Sequence, residues 1–469
     1  MERSESLLQA VAAPAGQGRP ITDPANDELV AHAPEHGKED LAAAIEAARA
    51  AQPAWEALGH QERSRLLEAA ADAIEARAEE LATIVSREQG KPLEGLGSRF
   101  EAGACAAWLR ATAATPLELE TVFDDGRVHA ELHYRPVGIV GVIGPWNWPA
   151  MIAVWQIAPS LRMGNTVVVK PSEYTPLSVL ALVHLMNSVL PEGVLNVVAG
   201  GRELGEAMTA EPAFGKIMFT GSTETGQAIV AHSAHHLPRL TLELGGNDAG
   251  IVLPDADPEQ IAEGVFWGAF INTGQTCAAL KRLYVHEDLY ERMVETLAAY
   301  AAKVPMGHAL SEGSALGPLT TKQQYGIVAE LVEAARSAGA RIVTGGDPDP
   351  QAPGNFYPLT LVADIDDENP LVAREQFGPA LPIVKYSTVD EAVEMANRLD
   401  AGLGASVWSG DPQRAREVAA RLQAGTVWIN QHGAVHPMVP FGGVKGSGYG
   451  LEFGVEGLKA VAVPQVING

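Results

Sequence analysis

Cysteine is scarce in this chain: Cys105 and Cys277 are the two in 469 residues. Cys105 lies in GACAAWL, a small, apolar, helix-favouring run in which a free thiol behaves as a small hydrophobe. Cys277 lies in FINTGQTCAALKRL, and its setting permits two readings. A thiolate there could attack an electrophilic carbon, or the thiol could be one more packed side chain. No histidine or metal-ligand set stands beside it, and the stretch leaves open whether Lys281 or Arg282 faces it. Two lone thiols provide no disulfide framework and point to a reducing compartment.

Other patterns could hold a phosphorylated ligand. In FTGSTETG the strand-like KIMFT runs into Gly221 and Ser222 and then into a helix from about Thr223. A glycine turn at a helix N-terminus offers free N–H groups and the positive end of a dipole to a phosphate, and it serves equally as a plain strand-to-helix turn. Lys170 and Glu173 in KPSE follow TVVV, where a carboxylate could accept the hydroxyls of a ribose. The glycine run GGVKGSGYG (442–450) has G-x-G spacing outside any strand–helix context and is weak as a cofactor fingerprint. His232, His235 and His236 in AHSAHHLP have no Cys or carboxylate nearby and read as a solvated helix end, so no metal is expected. There is no G-x-S-x-G elbow, P-loop or H-E-x-x-H.

The elements that must position these residues alternate between strand and helix patterns. A chain of 469 residues is too long for one core, and 46% apolar residues is ordinary for a globular enzyme. The excess of 58 acidic over 33 basic residues argues against nucleic acid or an anionic membrane as partner. MERSESLLQA has no sustained apolar region, so a cytoplasmic protein is expected. Val137 to Leu161 carries no charge, but Pro145, Asn147, Pro149 and Pro159 refute a membrane span; VGIVGVIGP reads as a buried strand and MIAVWQIA as a buried helix. Residues 39–115 read as long helices, one of them LLEAAADAIEARAEELATIVSREQG with a terminal glycine. GIVGVIG, TVVVKPS, VLNVVAG, KIMFTGS and LTLELGG then read as strands of a doubly wound nucleotide-binding half. RLYVHE, RIVTGG, LPIVKYS, ASVWSG and GTVWIN form a second α/β set. LELETVFDDGRVHAELHYRP (117–136) reads as a β-hairpin and KAVAVPQVI (459–467) as a terminal strand, and pairing the two, or pairing them with another subunit, would cover exposed edges.

Seven segments, in order, carry a resemblance to the NAD(P)-dependent aldehyde dehydrogenases of the acid-forming branch. They are GPWNWP (144–149), KPSE (170–173), FTGSTETG (219–226), ELGGN (243–247), GQTC (274–277), EQFGP (375–379) and PFGGVKGSGYG (440–450). The resemblance implies an α/β fold. A Rossmann-like NAD-binding domain would span 1–116 and 137–244, a catalytic domain 245–455, and a β oligomerisation element 117–136 and 456–469. It implies Cys277 as nucleophile, Asn147 with the Cys277 backbone N–H as oxyanion hole, and Glu243 as the base that activates water. For the cofactor it implies Lys170 and Glu173 at the adenosine ribose, Gly221 and Ser222 near the pyrophosphate, Trp146 along the site, and Glu375 with Phe377 at the nicotinamide. Glu173 would repel a 2′-phosphate, which favours NAD over NADP, while Lys170 could compensate. A homodimer or homotetramer is implied. The chain departs from the common pattern at Leu451, where many relatives have Arg, and in a GGRELG loop (200–205) one residue shorter.

For the substrate, Trp155 stands where relatives acting on succinic semialdehyde have Arg, and QHGAVHPMV (431–439) has no Lys or Arg. A distal carboxylate would lack a partner on burial, which is costly. The expected substrate is therefore an uncharged aliphatic or aromatic aldehyde held by Met151, Trp155, Trp148 and Phe441, the last two serving equally as core aromatics. A semialdehyde dehydrogenase and a coenzyme-A-acylating enzyme are the alternatives, the latter lacking the water-activating Glu. A thiol esterase would pair its Cys with a His that is not discernible here.

Overall fold

Runs such as VGIVGVI, TVVVK and KIMFT lack the apolar–polar alternation of a sheet with one wet face, and strands covered on both faces tolerate this. In the computed structural model, which describes residues 2–349 and 351–469, they form the centre of a six-stranded sheet. Its spatial order is Gly448–Tyr449, Arg239–Glu243, Phe214–Thr220, Ile139–Ile143, Thr166–Lys170 and Leu195–Val197. All neighbours are parallel except the short Gly448–Tyr449, which runs antiparallel with Gly448 opposite Glu243. Every residue of Ile139–Ile143 and Thr166–Lys170 is buried. The chain proceeds outward from Ile139–Ile143 on one side and returns to its other flank, so strand order reverses there. Ligands of doubly wound sheets bind beyond the carboxyl ends of strands at such a reversal.

A second sheet has seven strands in the order Arg341–Thr344, Thr360–Ala363, Ala380–Tyr386, Leu280–His286, Asp248–Val252, Gly404–Trp408, Thr426–Ile429. Only Arg341–Thr344 is antiparallel to its neighbour. Asp248–Val252 and Thr360–Ala363 go beyond the strands read from sequence, as do the hairpin Arg19–Thr22 with Leu29–Ala33 and the helix Glu2–Val11. The hairpin strands are short and only partly buried, so periodicity gives them no signal.

The long helix expected over 66–90 is two helices, Gly59–Glu75 and Ala78–Gln89. Arg77 leaves the helical region at φ −126°, ψ 19°, and its guanidinium turns onto Glu80. Each helix buries its own stripe, Leu67, Ala71 and Ile74 in one and Leu81, Ala82 and Val85 in the other. Gly90 ends the second with φ 97°, its N–H reaching the Ser86 carbonyl at 2.9 Å, the left-handed cap that glycine allows.

The two segments outside both sheets do pair. Ala462–Asn468 runs antiparallel to His129–Pro136, which pairs with Glu120–Asp124. The outer strand of this three-stranded sheet is an edge, and Leu119, Val122, Phe123, Val466 and Ile467 are exposed on the segment and its partner. No helix among the described residues is long and apolar enough to cross a membrane.

Candidate active site

The turn after Ile139–Ile143 carries Trp146, Asn147 and Trp148 into the helix Pro149–Arg162, with Pro149 preset for its first turn. The orphan N–H groups of Ala150 and Met151 are accepted by Glu101 Oε1 at 2.9 and 3.1 Å. The other Glu101 oxygen holds Lys91 Nζ at 2.6 Å in a pair with no exposed surface. Lys91 in turn donates to the Asn147 carbonyl at 2.7 Å and stands 3.5 Å over the Trp148 ring. Burial pulls Lys91 down to about 8 against the attraction of Glu101. This pair locks the backbone of Asn147. The substitution Glu101→Ala leaves Lys91 buried without its counter-ion, and a loss of about 3–5 kcal/mol is expected in chemical denaturation. A loss under ~1 kcal/mol would show that the pair is dispensable.

Asn147 also reaches the loop of the nucleophile candidate. Its Nδ2 donates to the Gln275 carbonyl at 3.0 Å, and its carbonyl accepts from Asn272 Nδ2 at 2.9 Å. A side-chain amide has two N–H groups, so one remains for another acceptor. The loop is wound through three successive left-handed residues, Asn272 (φ 51°), Thr273 (φ 57°) and Gly274 (φ 76°). Such a run persists only where its surroundings over-determine it. Thr273 Oγ1 donates to the Gly317 carbonyl at 3.1 Å, Gln275 Oε1 accepts from the Thr320 N–H at 2.9 Å, and a Cβ on Gly274 would lie 2.2 Å from the Gly378 oxygen.

Cys277 leaves this loop partly buried, just ahead of the strand Leu280–His286. Burial pushes its thiol up to about 12, with Lys281 opposing and Glu243, Asp248 and Glu375 adding to the rise. At neutral pH the thiol is protonated. The direction left open by the sequence is settled: Lys281 Nζ turns toward the loop, 2.6 Å from the Thr276 carbonyl and 3.3 Å from Glu375 Oε1. Arg282 turns away to the carbonyls of Asn247 and Ala396.

Glu243 ends the strand Arg239–Glu243, and both carboxylate oxygens are buried without a hydrogen-bond partner. Burial, and then Glu452, raise its pKa well above the carboxylate range. Burial likewise raises Glu452 to about 7, against a 3.1 Å hydrogen bond from Gln156 Nε2. A Cβ on Gly442 would stand 3.3 Å from Glu243 Oε1, so that glycine leaves room beside the carboxylate. Glu452, Lys91 and Glu101 escaped the sequence reading. A lone carboxylate in GYGLEFG, or charges ten residues apart in helical text, carry no local signal.

The remaining candidates form two groups. Trp146 meets Phe377 edge-on, with centroids 5.4 Å apart, and Lys281 Nζ lies 5.0 Å from the Phe377 ring. Glu375 closes this group through Lys281, and a Cβ on Gly245 would lie 2.6 Å from Glu375 Oε2. The second group follows the two strands that flank Ile139–Ile143 in the first sheet. Lys170 is buried at a strand end, donates to the Pro171 carbonyl at 3.2 Å, and is pulled down by burial to about 8. Glu173 borders a cavity of about 510 Å³ with Lys38, Gly201 and Arg202, large enough for an adenosine. Its carboxylate is held by Arg19 from the N-terminal hairpin, not by Lys170. Gly221 follows Phe214–Thr220, and Ser222 caps the helix Thr223–Ser233 by accepting from the Thr225 N–H at 3.2 Å.

Met151, Trp155 and Phe441 belong to the apolar cluster against which Cys277 packs. Trp155 and Phe441 both meet Phe453, at 4.8 and 6.0 Å between centroids. Trp148 belongs to the same cluster and is held more firmly than the others. It is 2% exposed, its Nε1 donates to Thr276 Oγ1 at 2.9 Å, and Lys91 and Phe100 cover the ring. His232, His235 and His236 form no metal-binding group, and none of three or more ligands occurs among the described residues.

A family model described as the aldehyde dehydrogenase family matches residues 11–467. The chain is 40% identical over 452 residues to a phenylacetaldehyde dehydrogenase of Pseudomonas fluorescens, covering 94% of this chain and 90% of that one. Among solved structures, an NADP dependent enzyme of E. coli superposes with a TM-score of 0.94 at 33% identity, covering 98% of this chain and 96% of that one. Betaine aldehyde dehydrogenase of Staphylococcus aureus, solved with NAD+, gives 0.93 at 30% identity, covering 100% and 96%.

Proposed function

Because the chain belongs to the aldehyde dehydrogenase family, we propose that it oxidises an uncharged aldehyde to its carboxylic acid with NAD, through a covalent intermediate on Cys277. The observation that carries this reading is Glu243: a buried carboxylate with neither oxygen partnered performs no structural task and is costly to keep. It lies near enough to Cys277 to raise the thiol. The family reading assigns it a use in taking protons.

Cys277 Sγ would bond to the aldehyde carbon as its thiol proton passes to solvent water. The second Asn147 N–H and the Cys277 backbone N–H would receive the oxyanion of the thiohemiacetal. The nicotinamide, when bound, supplies the acceptor for the hydride leaving that carbon. Glu243, in its basic form, would take a proton from the water that opens the thioester and frees the acid. Trp146, Glu375 and Phe377 would hold the nicotinamide half, while Lys170, Glu173, Gly221 and Ser222 would hold the adenosine and pyrophosphate. The aldehyde's apolar part would lie along Met151, Trp148, Trp155 and Phe441. The relative's action on phenylacetaldehyde, as its name states, fits such a wall.

We further infer a division at about residue 244 between cofactor-binding and catalytic halves, with 117–136 and 456–469 as the oligomerisation element. The exposed Leu119, Phe123 and Ile467 support its covering by another copy in a dimer or tetramer. The two free cysteines support a cytoplasmic setting. A panel of arylalkyl, alkyl and carboxylated aldehydes tests the substrate class by kcat/KM. Uncharged members should exceed carboxylated ones by at least about tenfold, since an unpaired buried charge costs more than ~1.4 kcal/mol. Preference for a carboxylated aldehyde would sink the assignment.

A further inference from the structure

Glu173 stands where a carboxylate would exclude a 2′-phosphate, yet it does not stand alone. Arg19 Nη1 donates to Glu173 Oε2, and Arg19 Nη2 donates to Glu35 Oε1 at 3.0 Å. Both partners are about two-thirds buried, with 33% of the Arg19 and 30% of the Glu173 side chain exposed. They crowd the same glycine: a Cβ on Gly201 would lie 3.1 Å from Arg19 Nη2 and 3.2 Å from Glu173 Oε2. Gly201 is the N-cap of the helix Arg202–Ala210 and makes no side-chain cap, so the first N–H groups of that helix open on the pair. Lys38 and Arg202 border the same cavity of about 510 Å³. The carboxylates of Glu35, Glu173 and Glu203 are there too, so cations and anions are balanced in number.

This is not the electrostatics of a pocket that rejects phosphate. A carboxylate excludes an anion when its charge is uncompensated; a guanidinium already seated on it cancels most of that repulsion and offers a fork matched to phosphate oxygens. Resting on the cofactor reading above, we propose that Arg19 sets cofactor selectivity by exchanging Glu173 for an incoming 2′-phosphate, so that the chain accepts NADP as well as NAD. With NAD, Glu173 keeps Arg19 on one oxygen and uses the other to accept ribose hydroxyls. With NADP, the Arg19 fork moves to the phosphate, and Lys38 and the helix N-terminus add positive potential, Arg202 being held by Glu206 at 2.7 Å. The hairpin Arg19–Thr22 with Leu29–Ala33 thus acts as a specificity element from outside the first sheet.

Calorimetric titration of the purified enzyme with adenosine 2′,5′-bisphosphate and with 5′-AMP tests this without turnover. The readout is the ratio of the two dissociation constants. For the wild type this ratio should lie within about tenfold of unity, because a charge-assisted contact of Arg19 with the phosphate offsets its repulsion by Glu173. Arg19→Gln should shift the ratio by at least about tenfold toward AMP, or about 1.4 kcal/mol. Glu173→Gln should shift it toward the bisphosphate. A wild-type preference for AMP beyond about tenfold, or a ratio that Arg19→Gln leaves unchanged, overturns the proposal. A chain that binds both nucleotides as expected but turns over no aldehyde would instead overturn the catalytic reading, so the two failures are distinguishable.

Discussion

Cys277→Ser is expected to lower aldehyde-dependent NADH formation by at least about three orders of magnitude while the protein melts as a folded enzyme. Serine keeps the size of the side chain but replaces the strongly nucleophilic sulfur by a hydroxyl with no partnered base. The other thiol cannot take over. Cys105 has no exposed surface and sits on the helix Ser98–Ala114, where burial first and Glu101 next raise its pKa well above that of a free thiol. The measurement is absorbance of NADH over an aldehyde panel, with circular dichroism to establish folding. Undiminished turnover in a folded Cys277→Ser enzyme would remove the covalent mechanism.

The second large effect is expected at Glu243. Glu243→Gln should leave the first half-reaction able to proceed and slow thioester hydrolysis by about 10²–10⁴, the range of general base catalysis. A burst of NADH, at most one per active site, should then precede a slow steady state, and rapid mixing followed by mass spectrometry should find an acyl adduct on Cys277. The wild type carries a pH signature. Burial and Glu452 hold Glu243 protonated above the usual carboxylate range, so its basic form grows as pH rises and kcat should rise with it. Glu243→Gln should flatten that rise. Stability runs the other way. A carboxyl whose folded pKa exceeds its unfolded value contributes stability that is fully present below the unfolded pKa and lost as pH rises toward the folded one. Relative to wild type, Glu243→Gln should therefore melt higher at pH 8 than at pH 4. A variant with neither burst nor altered pH profile would dissociate Glu243 from the chemistry.

Legibility in the sequence followed the range of the signal. Ile139–Ile143, Thr166–Lys170 and Phe214–Thr220 were readable because strands buried on both faces appear as short apolar runs. A cover for 117–136 was expected because exposed edges need one, and of the two candidates, the terminal strand and another subunit, the terminal strand pairs with it. What escaped depends on side chains distant in sequence. Lys91 and Glu101 look like ordinary helical charges until the fold buries both beneath Asn147. Arg19 is 154 residues from Glu173, in strands too short to register as strands. Trp148 was ambiguous because a tryptophan near a nucleophile serves equally as wall or wedge. The structure bonds its Nε1 to Thr276 and sets Lys91 over its ring, contacts between distant parts of the chain. The thiol's resting state was unreadable because it depends on burial and on the direction Lys281 takes.

The antiparallel pairing of Gly448 with Glu243 has a consequence for how the protein comes into being. The five parallel strands of the first sheet lie within residues 139–243, and a ribosome would release them well before the strand that closes their edge. Until Gly448–Tyr449 emerges, the Arg239–Glu243 edge is open and Glu243 has neither Glu452 nor the Gly442 backbone beside it. The strand His129–Pro136 likewise awaits Ala462–Asn468. Domains commonly fold as they leave the ribosome, N-terminal first, but here the first sheet is closed by a strand that follows the whole of the second sheet in the chain. A nascent chain therefore carries unpaired strand edges for that interval, and the surroundings of Glu243 are incomplete until Gly448–Tyr449 and Glu452 have emerged.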